Sequence, residues 1–366
     1  MCGITGWINL DTTKAEQNAE AALHSMCDRI VHRGPDSEGL WLDETVALGM
    51  RRLSIIDLKT GDQPVFNCDK SVIVMMNGEL YNYREIRAEL EKKGHRFTTN
   101  SDTEILPHLY EEYGDGLLEC VNGMFAFSLW DTRKKRLIIA RDRFGEKPLY
   151  YGVFEGKLIW GSEPKAILAH PAVKPELDLN ALRHYVSFDY VPAPMSIYKG
   201  IHKLPAANVL TVENGEVKTR RYWDVKWSEP SSSVVGEFGN GSSHEKSLNR
   251  KAEELRELLS DAVRMRLVSD VPLGILLSGG IDSSTVAALA VRHATERVKT
   301  FSIGFEEDSF DESRYARHVA KHLGTEHYED KLSATTAGSL IVIFFPIFEG
   351  SESKRATTWK FVRFIA

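Results

Sequence analysis

Short apolar runs separated by turn residues fill the first two thirds of the chain. CGITGWINL (Cys2–Leu10), TVALGMRRLSII (Thr45–Ile56), KSVIVMMNGELYN (Lys70–Asn82), MFAFSLWD (Met124–Asp131), RLIIARD (Arg136–Asp142), PLYYGVF (Pro148–Phe154) and KLIWGSE (Lys157–Glu163) read as strands. Helical periodicity interrupts them at Ala15–Val31, Tyr83–Lys93 and Thr103–Tyr113. That mixture predicts an α+β domain with αββα layering over residues 1–225, not a doubly wound sheet. The Ser- and Gly-rich stretch Ser228–Ser247 has little to bury, so residues 226–247 read as a linker. Beyond it the spacing predicts a charged amphipathic helix over Leu248–Leu267, a strand over Val271–Leu277 and a helix over Asp282–Arg292. A strand over Lys299–Phe305 and a helix over Asp311–Leu323, stopped by Gly324, complete the series. Strand, helix, strand, helix is the order of a parallel sheet with covering helices, here an α/β unit over 248–332. Residues 333–366 form an atypical tail, and no internal repeat is visible.

Composition adds limits. The 366 residues are 42% hydrophobic and 27% charged, which suits a globular protein of two domains. A net charge of −6 gives no footing for nucleic acid or an anionic membrane as partner. Cys2, Cys27, Cys68 and Cys120 form no Cys-x-x-Cys pair and have no His-rich cluster with them, so neither a zinc site nor a disulfide framework is indicated. No basic-then-apolar leader follows Met1, so a cytoplasmic location is expected, and the Asn240-Gly241-Ser242 sequon carries no glycan there.

Two stretches carry chemistry. In VPLGILLSGGIDSS (Val271–Ser284) a buried strand runs through Ser278, Gly279 and Gly280 into a helix. Such a junction points unpaired N–H groups and the positive end of a helix dipole outward, so phosphate is its natural occupant. No Gly-Lys-Ser/Thr follows and no Gly-x-Gly-x-x-Gly is present, which excludes a Walker loop and a dinucleotide fingerprint. The stretch Ser278–Ser284 resembles the Ser-Gly-Gly-aliphatic-Asp-Ser signature of the PP-loop enzymes, which cleave ATP between its α and β phosphates. At the other end, removal of Met1 would leave Cys2 with both a thiol and a free α-amine. An α-amine with a reference pKa of about 7.7–8.0 is able to accept a proton near neutral pH, so nucleophile and base would be one residue.

MCGITG, HRGPD (His32–Asp36), RLSIID (Arg52–Asp57), NGE (Asn77–Glu79), SDTE (Ser101–Glu104) and RDRFGEKPLYY (Arg141–Tyr151) occur in one order. Together they resemble the N-terminal-nucleophile (Ntn hydrolase) glutaminase domain of class II glutamine amidotransferases. With the glycine loop downstream, the pairing is similar to the glutamine-hydrolysing asparagine synthetases, over roughly residues 1–330. The resemblance implies that Cys2 attacks the glutamine side-chain amide, with the Asn77 side chain and the Gly78 N–H as oxyanion donors. It implies that Arg52 takes the substrate α-carboxylate and that Glu79 and Asp102 take its α-ammonium. Asp102 could instead cap the helix expected at Thr103. His32 is expected to be structural, and RDRFGEKPLYY a turn without chemistry, with Glu146 where an apolar residue is usual.

On the nucleotide side the resemblance implies that Leu276, Ser278, Gly279, Gly280, Asp282, Ser283 and Ile303 meet ATP, with Asp282 also able to hold Mg²⁺ or merely to cap its helix. Glutamine, ATP and aspartate would be the substrates, with asparagine, AMP and pyrophosphate among the products. A homodimer is compatible with this picture. A related amidotransferase acting on another carboxylate, or a non-catalytic glutamine or nucleotide binder, are the competing readings. Family members continue with a Ser-Gly-Asp/Glu-Gly-x-Asp-Glu segment and a helical aspartate-binding region. Here the chain runs instead through SATTAGSLIVIFFPIFEG to Ala366, which suggests truncation or a shifted frame. The run Leu340–Phe348 is too short to span a bilayer and reads as a β-prone aggregation hazard.

Overall fold

The computed structural model describes residues 2–11, 18–227, 241–306, 309 and 311–333, with residues 241–246 and 363–365 described as backbone only. Among the described residues the chain divides after Asp224 into two compact units.

The first unit begins with β1 (Gly3–Asn9), α1 (Ala19–Asp28), β2 (Ser37–Leu42), β3 (Val46–Arg52), β4 (Val65–Phe66) and β5 (Val72–Leu80). There follow α2 (Tyr83–Lys92), α3 (Ile105–Tyr113), α4 (Leu117–Cys120), β6 (Gly123–Asp131), β7 (Arg136–Arg141), β8 (Tyr150–Phe154) and β9 (Lys157–Gly161). The unit closes with α5 (Pro164–Leu168), α6 (Leu179–Phe188), β10 (His202–Lys203), β11 (Asn208–Glu213) and β12 (Glu216–Arg221). These strands make two antiparallel six-stranded sheets, in the orders β10-β8-β9-β1-β3-β2 and β12-β11-β7-β6-β5-β4.

Alternation along the strands explains the layering. Ile4 and Ile8 of β1 and Val46, Leu48 and Met50 of β3 meet Ile73 and Met75 of β5 and Trp130 of β6 in a core between the sheets. The intervening residues Trp7 and Ala47 face the other way and pack with Leu23 and Met26 of α1 and Ile167 of α5. Gly49 makes room for that helix, since a Cβ there would lie 2.6 Å from Cys27 Sγ. On the second sheet the outward-facing Val72, Val74 and Met76 are likewise buried, as are Ile105, Leu106 and Leu109 of α3. The result is αββα layering within an α+β unit. Strands buried on both faces carry near-continuous apolar runs, which is why these segments stood out from the sequence.

The second unit contains α7 (Gly241–Arg266), β13 (Leu273–Leu276), α8 (Ile281–His293), β14 (Lys299–Phe305), α9 (Ser313–Leu323), β15 (Glu326–Leu332) and β16 (Arg363–Ile365). Its sheet is parallel, in the order β15-β14-β13-β16. Ile275 and Leu277 are buried against Ala287 and Ala290 of α8 and Ala316 and Ala320 of α9. α9 stops where Gly324 turns left-handed, at φ 69°. Two differences from the sequence reading stand out. α7 starts at Gly241, inside the stretch read as linker, because no proline after Pro230 bars it and charged residues follow. β15 had no strand reading, because Glu326–Leu332 is almost wholly polar and lies at the sheet edge. The run Leu340–Phe348 lies outside the described residues.

Candidate active site

The ends of β1, β3 and β5 and two loops converge on one cleft in the first unit. It is lined by Cys2, Arg52, Asn77, Gly78, Glu79 and Asp102, together with Leu53, Gln63, Ser101, Thr103 and Lys147, and its empty space, part of it open to solvent, is about 490 Å³. All six residues assigned to nucleophile, oxyanion donors and amino-acid recognition therefore share one wall system.

Cys2 is fixed by its neighbours. Leu53 N–H donates to Cys2 Sγ at 3.3 Å and the thiol donates to Leu53 O at 3.5 Å. Arg33 Nε donates to the Cys2 carbonyl at 2.9 Å, and Arg33 Nη1 meets Glu163 Oε1 at 2.9 Å. Burial pushes the Cys2 thiol above its ordinary range, while the Leu53 backbone and Arg52 pull it down. A thiol so placed needs a base to take its proton.

Asn77 sits on β5, in the register that faces β6 opposite Ala126. It is 1% exposed, and its Nδ2 has no hydrogen-bond partner. A buried amide donor left unpaired costs roughly 1–3 kcal/mol, so such groups mark positions reserved for something else. Gly78 beside it tolerates no side chain, because a Cβ would meet Met124 O at 2.2 Å.

Arg52 is 5% exposed. Its Nη2 donates to Ile56 O and Asp57 O at 3.1 and 2.7 Å, and its Nη1 pairs with Asp62 Oδ1 at 2.8 Å. Those contacts set the plane of the guanidinium at the cleft wall. Asp102 Oδ2 accepts from Leu80 N–H at 2.8 Å. Burial, with the Glu79 charge adding to it, raises the Asp102 carboxyl to about 7, against the pull of the Leu80 and Thr103 N–H groups. Two carboxylates held this way attract a cation. Asp102 is not a helix cap: α3 starts at Ile105, after Glu104.

The loops are built as one piece. Asp57 Oδ1 accepts from Thr60 N–H at 2.9 Å, and its Oδ2 accepts from Thr60 Oγ1 at 2.6 Å and from Asn100 N–H at 2.7 Å. Gln63 bonds both N–H and C=O of Met76, at 2.7 and 3.2 Å. In SDTE, Glu104 points away from the cleft and gathers the N–H and hydroxyl groups of Thr98 and Thr99. His32 pairs with Glu163 at 2.9 Å and does not line the cleft. RDRFGEKPLYY is a turn wound on Asp142, whose carboxylate accepts from Phe144, Glu146 and Lys147 N–H. It nonetheless delivers Lys147, 6% exposed, to the cleft. Its lysine between two turn residues was the available signal.

The second unit carries its own cleft, with about 1180 Å³ of empty space, much of it open. Leu276, Ser278, Asp282, Ser283 and Ile303 line it, with Glu312 and Ser313 opposite. Gly279 and Gly280 shape the loop without lining it. Gly279 is left-handed (φ 84°), and a Cβ there would meet Tyr315 C at 2.5 Å. Gly280 caps α8, so Asp282 stands in the first turn and is not the N-cap. Ser278 Oγ and Ser283 Oγ are 3.0 Å apart.

Residues 1–223 match the family model described as glutamine amidotransferase domain. The chain belongs to that family. Residues 254–342 match the asparagine synthase model, so each of the two stretches singled out in the sequence falls within a matched family model. Asparagine synthetase (glutamine-hydrolyzing) 1 of Bacillus subtilis is 36% identical over 335 residues, covering 91% of this chain and 50% of that protein. Asparagine synthetase (glutamine-hydrolyzing) of Zea mays is 36% identical, covering 90% of this chain and 50% of that protein. Amidase chyE of Penicillium rubens is 35% identical, covering 93% and 52%. This amidotransferase chain thus spans about half the length of the curated relatives it matches. Among the described residues no helix is long and apolar enough to cross a membrane.

Proposed function

We propose that the first unit hydrolyses glutamine and that the second binds ATP, as parts of a glutamine-dependent asparagine synthetase. The observation that carries the reading is the buried, unpartnered Asn77 Nδ2 in the same cleft as Cys2 Sγ. With Met1 removed, the α-amine of Cys2 takes the thiol proton and the sulfur attacks the side-chain carbonyl carbon of glutamine. Asn77 Nδ2 and Gly78 N–H receive the oxyanion, each such donor being worth roughly 3–4 kcal/mol in the transition state. Collapse expels ammonia, protonated on its way out by the same amine, and leaves a glutamyl thioester that water cleaves to glutamate. Arg52 holds the substrate α-carboxylate through its planar guanidinium. Asp102 and Glu79 hold the α-ammonium.

In the second unit Ser278, Ser283 and the first turn of α8 would receive the pyrophosphate end of ATP, and Leu276 and Ile303 the adenine side. Asp282 and Glu312 offer the hard oxygen ligands that suit Mg²⁺, which would neutralise phosphate charge there. Ammonia would then displace AMP from an aspartyl-adenylate. A second reading, in which another carboxylate is amidated, draws on the similarity to Amidase chyE only in that this relative is not named an asparagine synthetase.

The test is release of glutamate and ammonia from glutamine by the chain with Met1 removed, beside Cys2→Ala. The variant should lose hydrolysis while still binding glutamine calorimetrically; turnover that survives the substitution would overturn the nucleophile assignment. Assaying AMP formation with aspartate and with other carboxylates separates the two acceptor readings.

A further inference from the structure

Two imidazoles and a carboxylate meet at one point beside α3, outside the cleft of Cys2. His95 lies just beyond α2, and His108 and Glu111 stand three residues apart on α3, so they share a face. His95 Nδ1 is 3.1 Å from His108 Nδ1. Glu111 Oε2 is 3.8 Å from the first nitrogen and 3.6 Å from the second. Donors at 2.0–2.1 Å from a tetrahedral ion are separated by about 3.3–3.4 Å, so this triangle has the size that one ion requires. Among the described residues it is the group of three with that property.

The surroundings prepare the donors. Asn67 Nδ2 donates to Glu111 Oε1 at 2.8 Å, which leaves Oε2 facing the imidazoles. His95 Nε2 meets Glu112 Oε1 at 2.9 Å. A proton on that nitrogen leaves Nδ1 as a lone pair, the arrangement in which a carboxylate orients a ligating histidine. Two Nδ1 lone pairs facing each other at this range repel unless a proton or a cation lies between them. A proton there would sit on His108 Nδ1 and an ion would move it to Nε2, which is buried without a partner in either case.

We propose that His95, His108 and Glu111 bind a divalent transition-metal ion of the zinc type, with water in the fourth position. The site reaches the glutamine cleft through the chain itself. His95 begins the segment that ends in Ser101, Asp102 and Thr103 of the cleft wall, and Glu104 clamps its middle. An ion fastens the near end of that segment and so steadies the far one.

The experiment titrates the chelator-treated full chain with Zn²⁺ by calorimetry and with Co²⁺ by visible absorption at neutral pH. His95→Asn and Glu111→Gln are the test variants, both at positions that are not fully buried, with circular dichroism confirming their fold; Cys2→Ser controls for the thiol. One ion per chain in the wild type and in Cys2→Ser, weakened at least about tenfold in each test variant, is the expected result. Zn²⁺ should also raise the melting temperature of the wild type and not of the test variants. The proposal is overturned by binding that survives both test substitutions, by binding that vanishes with Cys2→Ser, or by the absence of saturable binding below about 1 mM.

Discussion

Asp102→Asn should make the empty protein more stable and a poorer glutaminase at the same time. In the unfolded chain this carboxyl has its ordinary value of 3.8, whereas burial and the Glu79 charge raise it to about 7 in the fold. The native state therefore binds more protons between those two values, and stability falls as pH rises from about 4 to about 7. Above that window the cost of the ionised group reaches on the order of 4 kcal/mol, at about 1.4 kcal/mol per pH unit. Asparagine keeps an oxygen for the Leu80 N–H and removes the ionisation. Its buried NH₂ gives back part of the gain, leaving about 2 kcal/mol near pH 8 and none near pH 4. Urea unfolding followed by tryptophan fluorescence reads mainly this unit, since five of the seven tryptophans, Trp7, Trp41, Trp130, Trp160 and Trp223, precede Asp224, and Trp227, 89% exposed, changes its surroundings little on unfolding. Losing a charge-assisted contact to the substrate ammonium should raise the KM for glutamine about 10- to 100-fold. In the wild type, protonation of Asp102 below about pH 7 should lower kcat/KM beyond the loss already caused by protonation of the Cys2 α-amine (reference pKa about 7.7–8.0), and this extra loss should be missing from Asp102→Asn. Equal stabilisation at both pH values, or an unchanged KM, would refute the reasoning.

Two further outcomes follow from the same geometry. Asn77→Ala should lower kcat about 100- to 1000-fold, yet leave the urea midpoint unchanged or raised, because it removes a buried donor that has no partner; a loss of stability would show that the amide serves the fold. Gly279→Ala forces a Cβ against Tyr315 and a left-handed backbone onto alanine. Pyrophosphate binding, read by calorimetry, should drop while glutamine hydrolysis stays at the wild-type level, and unchanged pyrophosphate binding would count against the loop as a phosphate cradle.

The layering was legible wherever strands are buried on both faces, as in Val72–Leu80 and Gly123–Asp131. It was illegible where an element meets solvent: β15 is polar because it is an edge strand, and α6 hides its helix signal because Leu179, Val186 and Phe188 are exposed. The cleft was legible through the family resemblance, because Cys2, Arg52, Asn77, Gly78, Glu79 and Asp102 each sit in one of the short motifs that carry it. Lys147 was passed over because the turn that carries it is accounted for by Asp142 alone. His95, His108 and Glu111 form no motif at all, since folding and not spacing brings His95 to α3.

Asp57 touches neither end of an amino acid, yet its single carboxylate pins the loop after Arg52 to the loop before Asp102. It acts as a ruler between the Arg52 guanidinium and the Asp102 carboxyl, the spacing that glutamine would have to match in the proposed glutaminase. If glutamine binds as proposed, a chain without Asp57 would keep every recognising side chain and lose the gauge between them, so selectivity would depend on a residue that no contact with the ligand reveals.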